Sequence, residues 1–135
     1  MPIELVIVTP QGEAYRGAVE SVVLPGVEGE FGVLERHERF LTPLAIGEVA
    51  IRDGGATTYA SIASGFAEVG AEQVNVLVES CEVDGDIDVA RAELARDRAR
   101  EGLERLDVDE DRERYQHFEQ ALQRAENRLA VSRRS

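Results

Sequence analysis

The chain has 135 residues, 43% of them hydrophobic, with a net charge of −12 and a pI near 4.6. That apolar content excludes wholesale disorder, and the acidic balance argues against unaided binding to nucleic acid or anionic lipid, whose affinity rests on basic charge. No apolar run approaches the ~18 residues that span a bilayer and no signal-peptide pattern opens the chain, so a soluble protein is expected, or one held at a membrane by a protein partner.

Residues 3–9, Ile-Glu-Leu-Val-Ile-Val-Thr, read as a strand rich in β-branched residues. Pro10-Gln11-Gly12 is a turn, and Ala14–Arg16 and Val19–Leu24 are further short strands. The stretch from Leu24 to Ile51 reads LPGVEGEFGVLERHERFLTPLAIGEVAI. Gly26, Gly29, Gly32 and Gly47 punctuate its apolar runs, which suits turns and bulges because glycine alone takes positive φ without steric cost. A polar tip at Glu28–Glu30 precedes Phe31–Leu34, and a charged run around His37 precedes Phe40–Leu44. Glu48–Arg52 is a strand, and Asp53-Gly54-Gly55 marks a tight hairpin into Thr57–Ala63. Phe66–Val69 follows, and then Val74, Val76 and Val78 alternate with Asn75, Leu77 and Glu79 at the period of a strand. Many short strands joined by turns predict an antiparallel β-sandwich or flattened barrel over residues 1–84.

After Asp84-Gly85 glycine nearly vanishes and Ala, Glu, Arg and Leu dominate. Ile87, Ala90, Leu94, Ala99, Leu103 and Leu106 outline the buried stripe of one amphipathic helix, with Asp86 or Asp88 as its cap and Gly102 weakening it by ~1 kcal/mol. Asp107–Asp111 forms a turn. Tyr115, Phe118, Leu122, Ala125 and Leu129 repeat at 3-4-3-4 and predict a second helix. Residues 85–135 are thus expected to form an antiparallel helical hairpin, giving an α+β chain in two parts. Charge divides with structure: residues 1–84 hold 14 acids against four arginines, and residues 85–135 hold 13 against 11.

Catalytic and metal motifs find little support. There is no GxSxG, His37 lacks a partnered nucleophile, and the single cysteine, Cys81, allows neither an intrachain disulfide nor a Cys/His metal framework. Asp107, Asp109 and Asp111 imitate the start of an EF-hand loop, but Arg112 and Phe118 stand where its glycine and glutamate are required. The glycines of the central stretch are not followed by the Gly-Lys-Ser/Thr of a phosphate loop.

Gly29-Glu30-Phe31-Gly32-Val33-Leu34, with His37, Phe40-Leu41, Leu44 and Gly47, resembles the signature of the epsilon subunits of F-type ATP synthases. The pattern departs at Glu35-Arg36, where that family often has Pro-Gly, and at Arg39, where it often has proline. Ile87-Asp88-Val89-Ala90-Arg91-Ala92 is similar to the I/L-D-x-x-R-A segment with which some bacterial epsilon subunits bind ATP. The same six residues also read as an ordinary helix start, with Asp88 capping and Arg91 paired to it.

The resemblance covers nearly the whole chain and implies a non-catalytic part of the central rotor stalk, coupling proton flow to ATP synthesis and restraining ATP hydrolysis. It implies a β-part contacting the gamma subunit and the c-subunit ring through Glu30, Phe31 and His37, and a hairpin that folds on the sandwich or extends into the catalytic alpha/beta head. It implies no required cofactor, and ATP as a regulatory ligand at Glu82, Asp88, Arg91, Arg98, Arg124 and Arg128. The arginines would meet phosphates, as bidentate guanidinium suits, while Glu82 and Asp88 would accept from the adenine amine or order the arginines. It places the protein at the cytoplasmic face of a bacterial plasma membrane, attached only through the complex. Read without it, the chain is an acidic two-part interaction protein, and the alternative is a free-standing ligand-binding or adaptor module.

Overall fold

A computed structural model describes residues 2–34 and 39–134. Ten strands precede two helices: β1 (Ile3–Thr9), β2 (Gly12–Val19), β3 (Ser21–Gly26), β4 (Gly29–Leu34), β5 (Phe40–Leu44), β6 (Gly47–Asp53), β7 (Ala56–Ile62), β8 (Gly65–Val69), β9 (Gln73–Val78) and β10 (Cys81–Val83). A single 3-10 turn, Asp84–Asp86, leads into α1 (Val89–Arg105) and α2 (Arg112–Ser132). The strands form one hydrogen-bonded order, β10-β7-β6-β3-β5-β8-β9-β1-β2, with β4 on the side of β3.

The two halves of this order join at a single pair, Gly26 with Leu44. The sheet bends there and closes into a sandwich. Alternation sends Ile3, Leu5 and Ile7 of β1, Val22 and Leu24 of β3, Val49 and Ile51 of β6, and Val74, Val76 and Val78 of β9 into one core. Every residue of that core cluster belongs to a strand. Gly54 and Gly55 form the two-residue β6–β7 turn with φ of 58° and 84°, the doubly positive conformation that suits a right-twisted hairpin.

Three local expectations need correcting. The sandwich is not wholly antiparallel: β1 runs parallel to β9, from Glu4–Gln73 to Val8–Leu77. The first strand slots between β2 and β9, and side-chain period carries no information on strand direction. Of the central glycines only Gly29 takes positive φ. Gly47 is required for another reason, since a Cβ there would lie 2.6 Å from the Cβ of Pro25. The inner stripe of α1 is only partly the expected one. Ile87 and Ala99 are buried as expected, but Leu94 is 58% exposed, Ala90 is exposed, and Ala92 is buried in their place. α1 packs on α2, and Gly102 leaves room for the Phe118 ring, since a Cβ there would lie 2.7 Å from it.

The second helix keeps its expected seam, with Ala125 and Leu129 buried and Tyr115, Phe118 and Leu122 half-buried. Asp88 caps α1, its Oδ1 accepting from the Arg91 amide at 3.1 Å. The inter-helix turn closes on Asp107, whose Oδ1 accepts from the amides of Glu110 and Asp109 at 3.0 and 2.9 Å. Those bonds hold its carboxyl below the ordinary value. Among the described residues no helix is long and apolar enough to cross a membrane.

Candidate functional site

Where β10 and the 3-10 turn meet the two helices, a cavity of about 690 Å³ opens. Glu82, Asp86, Asp88, Arg91, Arg98 and Arg128 line it, with Ala92, Leu94 and Ala95 as an apolar wall. The helical spacing explains the convergence. Arg91 and Arg98 lie seven residues apart, two turns of α1, or about 10 Å of rise along one face. Arg128 enters from α2. The cavity therefore gathers five of the six residues expected at a nucleotide. Arg124 is placed differently. It lies half-buried one turn earlier on α2, where it lines an adjoining groove of about 610 Å³ with Glu79, Ser80, Gln120 and Gln123; Arg128 borders both spaces.

The charges are not equivalent. Arg128 Nε donates to Glu82 Oε1 at 2.5 Å. Asp88 is engaged by the helix amide it caps. Among the described residues Arg91 and Arg98 have no carboxylate within ion-pair distance. Two guanidinium groups without partners and a third held at the rim by one carboxylate suit a multiply charged anion. Beside the cavity, burial and then the Glu82 charge push the Cys81 thiol up to about 11. That removes it as a nucleophile at neutral pH.

Of the residues expected to touch partners, Glu30 is exposed on β4, opposite Pro25. Phe31 is half-buried, packed on the core and edge-on to Phe40 with ring centroids 5.7 Å apart, so it supports the loop more than it projects from it. His37 lies outside the described residues.

Two features escaped the sequence reading. On the outer face of the β5-β8-β9-β1 half, Leu41 (67% exposed), Phe66 (55%), Leu77 (54%) and Val8 form an apolar row. Phe66 pairs with Leu77, and Leu77 with Val8. The signal was present, since these large apolar residues alternate with the core residues Ala67, Val76 and Ile7, but parity alone does not say which outward face stays bare. The second feature is the attachment of α2 to the sheet. Asn127 Nδ2 donates to the Gly47 carbonyl at 2.7 Å and to Ser61 Oγ at 2.8 Å. Arg134 donates twice to Glu48. An asparagine inside a helix, where its propensity is poor, was the available hint.

A model of the beta-sandwich domain of the ATP synthase Delta/Epsilon chain matches residues 2–84, and one of that chain's long alpha-helix domain matches residues 86–133. The chain belongs to the ATP synthase delta/epsilon family. Its relatives include proteins named ATP synthase epsilon chain. That of Halalkalibacterium halodurans is 38% identical, over 95% of each chain. That of Syntrophobacter fumaroxidans is 43% identical, over 98% of this chain and 97% of the relative. Among solved structures, a chain in the Euglena gracilis mitochondrial ATP synthase (OSCP/F1/c-ring, rotational state 1) matches with a TM-score of 0.80 at 26% identity, covering 96% of this chain and 81% of that one. A chain of the Tetrahymena thermophila mitochondrial ATP synthase central stalk and c-ring shares the fold, with a TM-score of 0.66 at 12% identity.

Proposed function

We propose that the chain is the epsilon subunit of a proton-translocating F-type ATP synthase, a non-catalytic part of the rotor that couples proton flow to ATP synthesis and restrains hydrolysis through its hairpin. The observation that carries this reading is the match of both parts, in order and over nearly the full length, to epsilon chains. The apolar row Leu41–Phe66–Leu77–Val8 gives the gamma subunit a face to bury. α2 covers β6 and β7 on the other half of the sheet and leaves this row uncovered. Glu30, on the exposed rim, suits basic polar loops of the c-subunit ring. Released from the sheet, the hairpin reaches the catalytic alpha/beta head. The complex holds the subunit at the cytoplasmic face of a bacterial plasma membrane.

The cavity at Arg91, Arg98 and Arg128 supports ATP as the regulatory ligand. Its volume lies within the ~300–1,000 Å³ of small-molecule sites, and of its three arginines, matched in number by Glu82, Asp86 and Asp88, only Arg128 is held in an ion pair, which leaves Arg91 and Arg98 to meet an anion. Glu82 and Asp88 order the arginines or accept from the adenine amine. Because the site needs both helices, ATP binds the closed hairpin better than the open one and shifts the population toward it. Arg124 joins the site only from the adjoining groove, through Arg128.

The stalk reading is tested by affinity purification from detergent-solubilised membranes. The gamma and c subunits are expected to co-purify with the parent and gamma to be lost with Leu77→Arg. Recovery of the chain without either subunit would favour the free-standing adaptor. Calorimetric titration with ATP tests the ligand: Arg91→Ala or Arg98→Ala is expected to weaken binding roughly ten- to a hundredfold. Absence of heat at millimolar ATP in the parent would reduce these arginines to solvated helix faces.

A further inference from the structure

The hairpin touches the sandwich unevenly. α2 packs on β6 and β7, while α1 packs chiefly on α2. Beneath the middle of α2 the fit is loose. Grooves of about 490 and 610 Å³ meet at Ile46 and Gln123, so little apolar surface is sealed there. Toward its C-terminal end, where Ala125, Leu129 and Val131 are buried, specific polar contacts add to the apolar packing. Asn127 bridges the Gly47 carbonyl and Ser61 Oγ. Ser61, 5% exposed, is the one buried polar residue among those described, so Asn127 satisfies a hydroxyl that water does not reach. Arg134 Nε and Nη2 each donate to one oxygen of Glu48 at 3.0 Å, a bidentate pair, and its guanidinium lies 4.8 Å from the centre of the Tyr59 ring. Glu48, then Tyr59 and Glu30, hold that guanidinium above its ordinary pKa.

We propose that these contacts form a salt-sensitive latch, Asn127 and Arg134 on Gly47, Glu48, Tyr59 and Ser61, which sets how readily the hairpin leaves the sandwich independently of the nucleotide cavity. The inference rests on the reading of the hairpin as a releasable element. The two halves of the latch differ in physics. The Arg134–Glu48 pair is directional and bidentate, yet Arg134 is 52% exposed, so dissolved ions screen it. The Asn127 bridge is uncharged and part-buried, and ionic strength leaves it intact. Salt therefore loosens one half of the attachment and spares the other. Glu82–Arg128 adds a third contact, which belongs to the nucleotide cavity.

Hydrogen exchange on the full chain tests this, comparing amides of residues 120–132 with those of β7 between about 0.05 M and about 1 M sodium chloride. In the parent, exchange in α2 is expected to speed up several-fold with salt while β7 stays protected. Arg134→Gln and Glu48→Gln are each expected to exchange fast at low salt and to lose the salt response, and the double variant to match either single one. Asn127→Ala is expected to speed exchange roughly tenfold at both salt concentrations, as the loss of a part-buried hydrogen bond implies. Arg91→Ala is expected to retain the parent's salt response, which keeps the latch distinct from the ATP site whether or not ATP binds. A parent insensitive to salt, an Arg134→Gln chain that exchanges like the parent, an Arg91→Ala chain without the response, or equal acceleration throughout β7 would each overturn the proposal.

Discussion

Gly102 separates helix propensity from packing. On propensity alone, Gly102→Ala stabilises α1 by ~1 kcal/mol. The structure gives the opposite sign. A Cβ at this position would lie 2.7 Å from Cδ1 and Cε1 of Phe118 and 2.8 Å from its Cγ. Carbon atoms do not approach so closely, so the ring must swing out of the seam or the helices must part. Overpacking of this kind costs ~1–3 kcal/mol. Set against the propensity gain, the hairpin loses about 1 kcal/mol, which raises its local opening roughly fivefold. The expected result is faster amide exchange in α1 and α2 with β9 unchanged. Phe118→Leu removes ring atoms that the new methyl meets, so the double variant Gly102→Ala/Phe118→Leu is expected to be more stable than the two single effects combined would give. A Gly102→Ala chain with a slower-exchanging hairpin would refute the reasoning and show that Phe118 does not depend on the gap.

Residues 1–84 are expected to keep a cooperative β-sheet melt when produced alone, because the core cluster draws on strands only, while residues 85–135 alone give a largely unfolded circular dichroism spectrum. Gly65→Ala is expected to cost about 3 kcal/mol or to prevent folding, since its Cβ would sit 2.0 Å from the Leu77 carbonyl oxygen; a urea midpoint like the parent's would contradict this. Cys81, with its thiol raised from 9.0 to about 11, is expected to alkylate at pH 8 about a hundredfold more slowly than in the urea-unfolded chain. The raised value favours the protonated folded form. Its contribution to stability is therefore constant below the unfolded pKa and declines as pH climbs toward 11, an effect that Cys81→Ser removes.

Alternation and punctuation in the sequence determined most of the strands. Ile3–Thr9 and Phe40–Leu44 have the predicted bounds, and the Gly54-Gly55 hairpin and the α2 seam stand where predicted, because period, turn chemistry and capping are local properties written in neighbouring residues. The I-D-x-x-R-A segment likewise placed Asp88 at its cap and Arg91 beside it. Tertiary structure alone decided the rest. It ran β1 parallel to β9, which no side-chain period encodes. It turned Ala90 and Leu94 outward and Ala92 inward, since packing against α2, and not hydrophobicity alone, selects the inner stripe of α1. It put Arg124 in a neighbouring groove, because one helical turn along α2 carries a side chain past the end of the cavity. It also brought Asn127 to Gly47 and Ser61, and Arg134 to Glu48, across 66 to 86 residues of chain. Contacts at that separation depend on how the hairpin meets the sheet, and local sequence holds no record of that meeting.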